Sequence, residues 1–123
     1  MMALVTSHML NSFDGTHAGG IAVNLTRVGA DERLIFSTQM DEGGRLSETV
    51  DMRSADPDAT YQLLFETGPY WSIRLGQARL QGISKQIVLR FQMPDPKGQY
   101  HMPIILSPNG YSSWLSDQPS GQE

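Results

Sequence analysis

An all-β sandwich with one short helix is the fold class that this sequence predicts. Three observations carry it. Apolar residues alternate with period two more often than with the 3.6-residue period of a helix. Twelve glycines and seven prolines cut the chain into short pieces. A single segment carries helix punctuation. The size agrees, since 123 residues enclose one hydrophobic core and are too few for two.

The elements follow in order. Residues 4–10 read as a first strand, with Leu4, Thr6, His8 and Leu10 on one face. Phe13, Asp14, Gly15 and Thr16 make a turn. Residues 21–28 are a clearer strand, with Ile21, Val23 and Leu25 facing one way. A turn at Gly29 leads to a strand over 33–40, which the acidic, glycine-rich segment 41–44 ends. A short strand over 45–49 follows, then a polar loop over 53–58 and a strand over 60–66. Pro69 to Leu75 is the helix, with proline in its first turn and Gly76 just past its end. Residues 85–93 alternate strongly, placing Ile87, Leu89 and Phe91 on one face. After the Pro94-Asp95-Pro96-Lys97-Gly98 turn come strands over 99–106 and 111–115. The expected total is seven or eight strands in one domain over 1–117, with a frayed polar tail over 118–123.

Composition excludes several classes. Acidic residues outnumber basic ones 13 to 9, for a formal net charge of −4, so no nucleic-acid-coating surface is expected. No cysteine is present, which removes disulfides, thiolate metal sites and cysteine nucleophiles. The apolar run Met1-Met2-Ala3-Leu4-Val5 is too short for a signal-peptide core and has no basic residue before it. No stretch reaches the length of a spanning helix, so no membrane partner is expected. The cytoplasm is the expected compartment.

Three histidines are the candidates for acid–base chemistry: His8, His17 and His101. His8 and His101 each sit in mid-strand, with no turn to account for a polar ring. His17 lies in the glycine-bounded turn region and reads as a surface residue. Taken alone, each strand histidine fits a solvated sheet face better than a site.

Further pattern decides between these. The segment Tyr100-His101-Met102-Pro103-Ile104-Ile105-Leu106-Ser107-Pro108-Asn109-Gly110-Tyr111-Ser112 resembles the C-terminal signature of the 5-hydroxyisourate hydrolases, the enzymatic relatives of transthyretin. Ser7-His8-Met9-Leu10-Asn11 is similar to the opening motif of that family. So are Ala18-Gly19-Gly20-Ile21-Ala22-Val23, Gly44-Arg45 and Leu64-Phe65-Glu66-Thr67-Gly68-Pro69-Tyr70 to its later motifs. The matches run in order along nearly the whole chain.

The resemblance implies two four-stranded sheets with a short helix, assembled as a homotetramer. It implies hydrolysis of the N1–C6 amide of 5-hydroxyisourate, in a channel where dimers meet, with no metal and no organic cofactor. It assigns the catalytic positions to His8, Arg45 and His101. A neutral imidazole can take a proton from water, and a guanidinium can hold an oxygen on which charge develops.

This chain also departs from the pattern. Gln99 stands where the family has the first histidine of a His-x-His pair, and glutamine cannot titrate. Trp114-Leu115-Ser116-Asp117 replaces Tyr-Arg-Gly-Ser, so Asp117 aligns with the family's terminal serine. With Ser112, these residues are the expected substrate contacts. The exchange toward apolar surface favours an N-methylated hydroxyisourate, and plain 5-hydroxyisourate is the second reading. A non-catalytic transthyretin-like binding protein is the third, and retention of His8, Arg45 and His101 argues against it.

Overall fold

The computed structural model describes residues 1–53, 56–76 and 83–118. Among the described residues ten strands form two sheets, accompanied by one helix. They are β1 (Met2–Asn11), β2 (Ala22–Val28), β3 (Arg33–Gln39), β4 (Arg45–Asp51), β5 (Thr60–Glu66), α1 (Gly68–Leu75), β6 (Gln86–Gln92), β7 (Gln99–His101), β8 (Ile104–Ser107), β9 (Gly110–Ser113) and β10 (Ser116–Gln118). The all-β sandwich is the observed class.

One sheet has the antiparallel order β3-β2-β5-β6. The other is built on β1, which pairs antiparallel with β4 and parallel with β7 and β8. The predicted strand over 99–106 is two strands, because Pro103 has no N–H to give the ladder. The Met102 N–H still reaches the Thr6 carbonyl at 2.9 Å, and the break covers only two residues. The last strand is also divided. β9 ends at Ser113, short of the expected Leu115, and Ser116 begins β10. β7 and β8 lie end to end along β1, and β10 and β9 lie end to end beside them. The six strands of this sheet therefore form four rows, which is the four-stranded layer expected from the resemblance.

Alternation decides what is buried. Ala3, Val5, Ser7, Met9 and Asn11 of β1 point inward, while Leu4, Thr6, His8 and Leu10 lie on the outer face. Val23 and Leu25, Leu63 and Phe65, and Ile87 and Leu89 point inward from the second sheet. The inward residues of both sheets form one apolar cluster. Each large side chain buried there contributes about 1.5–3 kcal/mol. Trp71 anchors α1 to the cluster at 2% exposure, and Gly76 closes the helix at φ +69°. Gln118, assigned to the tail, pairs with Gln99 in β10, and residues 119–123 lie outside the described residues. No helix among the described residues is long and apolar enough to cross a membrane.

Candidate active site

Residues directly opposite across a ladder share a face. His8 of β1 stands opposite Arg45, the first residue of β4. His101 of β7 stands opposite Thr6, two residues along β1 on the same face as His8. The three expected catalytic residues thus meet on the outer face of the β1 sheet. His8 and His101 are half-buried, and Arg45 is exposed.

Local structure fixes each of them. The Asp41 carboxylate accepts the backbone N–H groups of Gly43 and Arg45, both at 2.9 Å, in an Asx turn. Gly44 closes that turn at φ +74°, where a Cβ would lie 2.5 Å from the Met9 carbonyl oxygen. Only glycine allows this approach, and the Met9 N–H uses it to reach the Gly44 carbonyl at 2.7 Å. Arg45 is thereby delivered opposite His8. The His101 ring is held through Nδ1, which lies 2.7 Å from the Thr6 hydroxyl oxygen.

The structure brings in one residue that the sequence reading put on the bare surface. Nδ1 of His17 lies 2.9 Å from Nε2 of His8, and the two rings stack at 5.0 Å between centroids. The loop before β2 folds back along β1 and forms a bridge between His17 and Leu10. His17 is exposed, as expected, but it shares the face of His8. A Cβ on Gly19 would lie 2.6 Å from the Asp41 carbonyl oxygen, so the His17 loop and the Arg45 turn touch backbone to backbone.

His8 titrates below the usual histidine value of 6.5. Partial burial is the main cause, followed by the Arg45 charge and the neighbouring His17, with His101 a lesser contribution. A backbone hydrogen bond with Gly43 acts in the opposite sense. The result is a neutral imidazole beside a guanidinium, able to accept a proton at neutral pH.

The expected substrate contacts divide between two faces. Gln99 pairs with Leu4, and Ser116 pairs with His101, so both stand on the histidine face. The Ser116 hydroxyl reaches the His101 carbonyl at 3.4 Å. Ser112 pairs with Ile105, which pairs with Leu10, on the same face farther along. Trp114 connects β9 to β10, between Ser112 and Ser116, and is 54% exposed.

Asp117 stands on the other face of β10. It pairs with the buried Tyr100, and strand alternation turns it away from His101. Leu115, Ser116 and Asp117 line a cavity of about 170 Å³ with Gln92, Pro94, Tyr100 and Met102. Ser116, not Asp117, occupies the place beside the second histidine. Among the described residues no group of three or more His, Asp or Glu side chains is arranged to hold a metal ion.

Comparison with known proteins gives the family. The model of the HIUase/Transthyretin family matches residues 5–115. A 5-hydroxyisourate hydrolase of Pseudomonas aeruginosa is 33% identical over 114 residues, covering 92% of this chain and 90% of that protein. 5-Hydroxyisourate hydrolase 2 of Rhizobium meliloti is 30% identical, over 89% of this chain and 92% of that one. The structure of Klebsiella pneumoniae 5-hydroxyisourate hydrolase superposes with a TM-score of 0.71 at 25% identity, over 92% of this chain and 98% of that one. Transthyretin from Sparus aurata shares the fold, with a TM-score of 0.76 at 22% identity over 93% of this chain and 97% of that one. With its family match spanning both strand histidines and the arginine between them, the chain belongs to the HIUase/transthyretin family.

Proposed function

We propose that this protein is a cyclic amide hydrolase that opens the six-membered ring of 5-hydroxyisourate or of an N-methylated analogue. The observation that carries the reading is the cross-strand pair of His8 and Arg45, with His101 beside it on one open sheet face. The named relatives supply the substrate class.

In the proposed reaction a water molecule lies between the ring carbonyl and His8. His8 takes one proton from it, and the oxygen forms a bond to the carbonyl carbon. Arg45 donates hydrogen bonds to the oxygen on which charge develops. The C–N bond then breaks, and the leaving nitrogen takes a proton delivered from the His101 ring. The product carboxylic acid ionises, and its proton returns to the His101 ring to replace the one given to the nitrogen. No step uses a metal or an organic cofactor. The histidine face is open in a single chain and carries exposed Ile105 and Trp114. A homotetramer that covers it with other copies is part of the proposal, in line with the family resemblance.

Substrate choice is assigned to the segment 114–116. Trp114 presents aromatic surface where the family pattern has tyrosine, and the arginine of that pattern is missing. Each buried methyl is worth about 0.8 kcal/mol, so three methyls give about 2.4 kcal/mol, or about fifty-fold in preference. The placement of Asp117 beside Tyr100 removes carboxylate repulsion from this argument. Comparing kcat/KM for trimethylated and unmethylated hydroxyisourate tests it. The expected result is a preference for the methylated ring that falls when Tyr-Arg-Gly-Ser is restored at 114–117. Preference for the unmethylated ring would assign the chain to plain hydroxyisourate.

The pH dependence follows from His8. Its base form is the neutral one, and its pKa lies below 6.5, so the neutral form persists into mildly acidic solution. The acid limb of kcat/KM is expected to have its midpoint below 6.5. A midpoint above 6.5 would assign the essential base to another group.

A further inference from the structure

His17 occupies a position that the catalytic assignment does not use, yet its surroundings fix it closely. The Asn11 N–H donates to the Thr16 carbonyl at 2.7 Å, and the Ala18 N–H donates to the Met9 carbonyl at 2.9 Å. The backbone on both sides of His17 is therefore bound to β1. Thr16 is tied in turn to Asp14, its hydroxyl reaching the carboxylate at 2.6 Å. Arg74 of α1 reaches the Thr16 hydroxyl at 3.3 Å and the Asp14 carboxylate at 3.8 Å. A surface histidine with no task needs none of this bracing.

The contact itself is specific. Nδ1 of His17 and Nε2 of His8 are 2.9 Å apart, so one ring donates and the other accepts. The groups facing His8 are Arg45 from β4, His101 from β7, Gly43 from the Asx turn and His17 from the loop. Arg45 is a fixed cation, and His101 is held to Thr6 through Nδ1. Among these, His17 pairs a ring nitrogen with His8 and is itself exposed to solvent.

Hydrolysis of an amide to an ionised acid releases one proton to solvent. His8 is half-buried and faces the reacting water, so the proton it collects needs a way out. We propose that His17 is a positioning residue that holds the His8 ring by a side-chain hydrogen bond and passes the proton His8 collects on to bulk solvent. The catalytic part of this inference rests on the hydrolase reading above. The proton balance is simple: water gives a proton to His8, His8 gives one to His17, and His17 gives one to solvent. Both rings return to the neutral state.

Two variants separate this role from simple packing. His17→Phe keeps a ring to stack on His8 and removes the nitrogen. His17→Gln keeps a hydrogen-bonding group and removes titration. In His17→Phe we expect kcat to fall about tenfold with KM changed by less than about twofold, the pattern of a lost positioning contact. The acid limb should move up toward 6.5, because a neighbouring titratable ring is gone. Gln should recover part of kcat by restoring the hydrogen bond, and added imidazole should recover more in both variants.

Nitrogen-15 NMR of the His8 ring reads the coupling without substrate, on the full chain. An upward shift of its titration midpoint in His17→Phe, together with the kcat loss, supports the proposal. An unmoved His8 titration overturns it, and so does a moved titration with wild-type kcat at all pH values. A wild-type chain that opens neither ring overturns the hydrolase reading and the catalytic role with it. The NMR shift would then still establish the His8–His17 pair by itself.

Discussion

Asparagine in place of His8 or His101 is expected to lower kcat/KM by at least about 10²-fold while the fold survives. Both side chains lie on the outer face of the β1 sheet, so neither belongs to the apolar cluster between the sheets. Asparagine is close in reach to imidazole and can keep one hydrogen bond, from the Thr6 hydroxyl in one case and from His17 in the other. What it cannot do is exchange a proton near neutral pH. A merely structural role for these rings predicts small changes in both stability and rate. The measurement is the absorbance decay of freshly generated substrate, with thermal melts of the same samples. Near-wild-type rates in both variants would remove the acid–base assignment.

The second large effect is expected at Gly44, which places Arg45 without touching substrate. Gly44→Ala forces a side chain into φ +74° and brings its Cβ to 2.5 Å from the Met9 carbonyl oxygen. Left-handed strain in a non-glycine residue costs about 1–3 kcal/mol. Relief of the overlap requires the turn to move off β1, which breaks the Met9-to-Gly44 hydrogen bond. We expect a total loss of about 2–4 kcal/mol, read as a fall of about 10 °C in melting midpoint, and a loss of activity in the protein that remains folded. Gly15 supplies the control. It sits at φ +79° with nothing within 4 Å of a built Cβ. Gly15→Ala should therefore show the strain without the collision, and keep more of its activity. Equal losses at the two positions would contradict the close approach as the device that sets Arg45.

Most of the fold was legible because period-two alternation leaves few choices in a two-layer β-protein. The strand over 60–66 falls as expected, and Ile87, Leu89 and Phe91 share the buried face. The face of Leu4, Thr6, His8 and Leu10 was readable from alternation alone. Boundaries near Pro103 were less so. Residues 99–106 keep the parity of one strand, and only the missing proline N–H divides them. The chain paired to it divides at the same level, so Trp114 and Leu115 fall between strands although their composition suits one.

The site was legible in part for a different reason. Arg45, His8 and His101 lie far apart in the chain, and their meeting depends on register, which only the family resemblance hinted at before the pairing of β1 with β4 and β7 was seen. Ser116 and Asp117 were both expected at the site, and in β10 the two adjacent residues stand on opposite faces. His17 was out of reach because no periodicity governs a loop. Its position depends on how the Gly19 and Gly44 backbones pack, a long-range contact with no local signature.

The His8–Arg45–His101 face is proposed to open a hydroxyisourate ring. Its most direct test is the decay of freshly generated 5-hydroxyisourate and of its trimethylated analogue, each followed by absorbance with catalytic amounts of the full chain against the spontaneous decay. The account predicts acceleration of at least one ring above the spontaneous rate, abolished in Arg45→Met with the fold intact. Spontaneous rates for both rings with folded wild-type protein would contradict it.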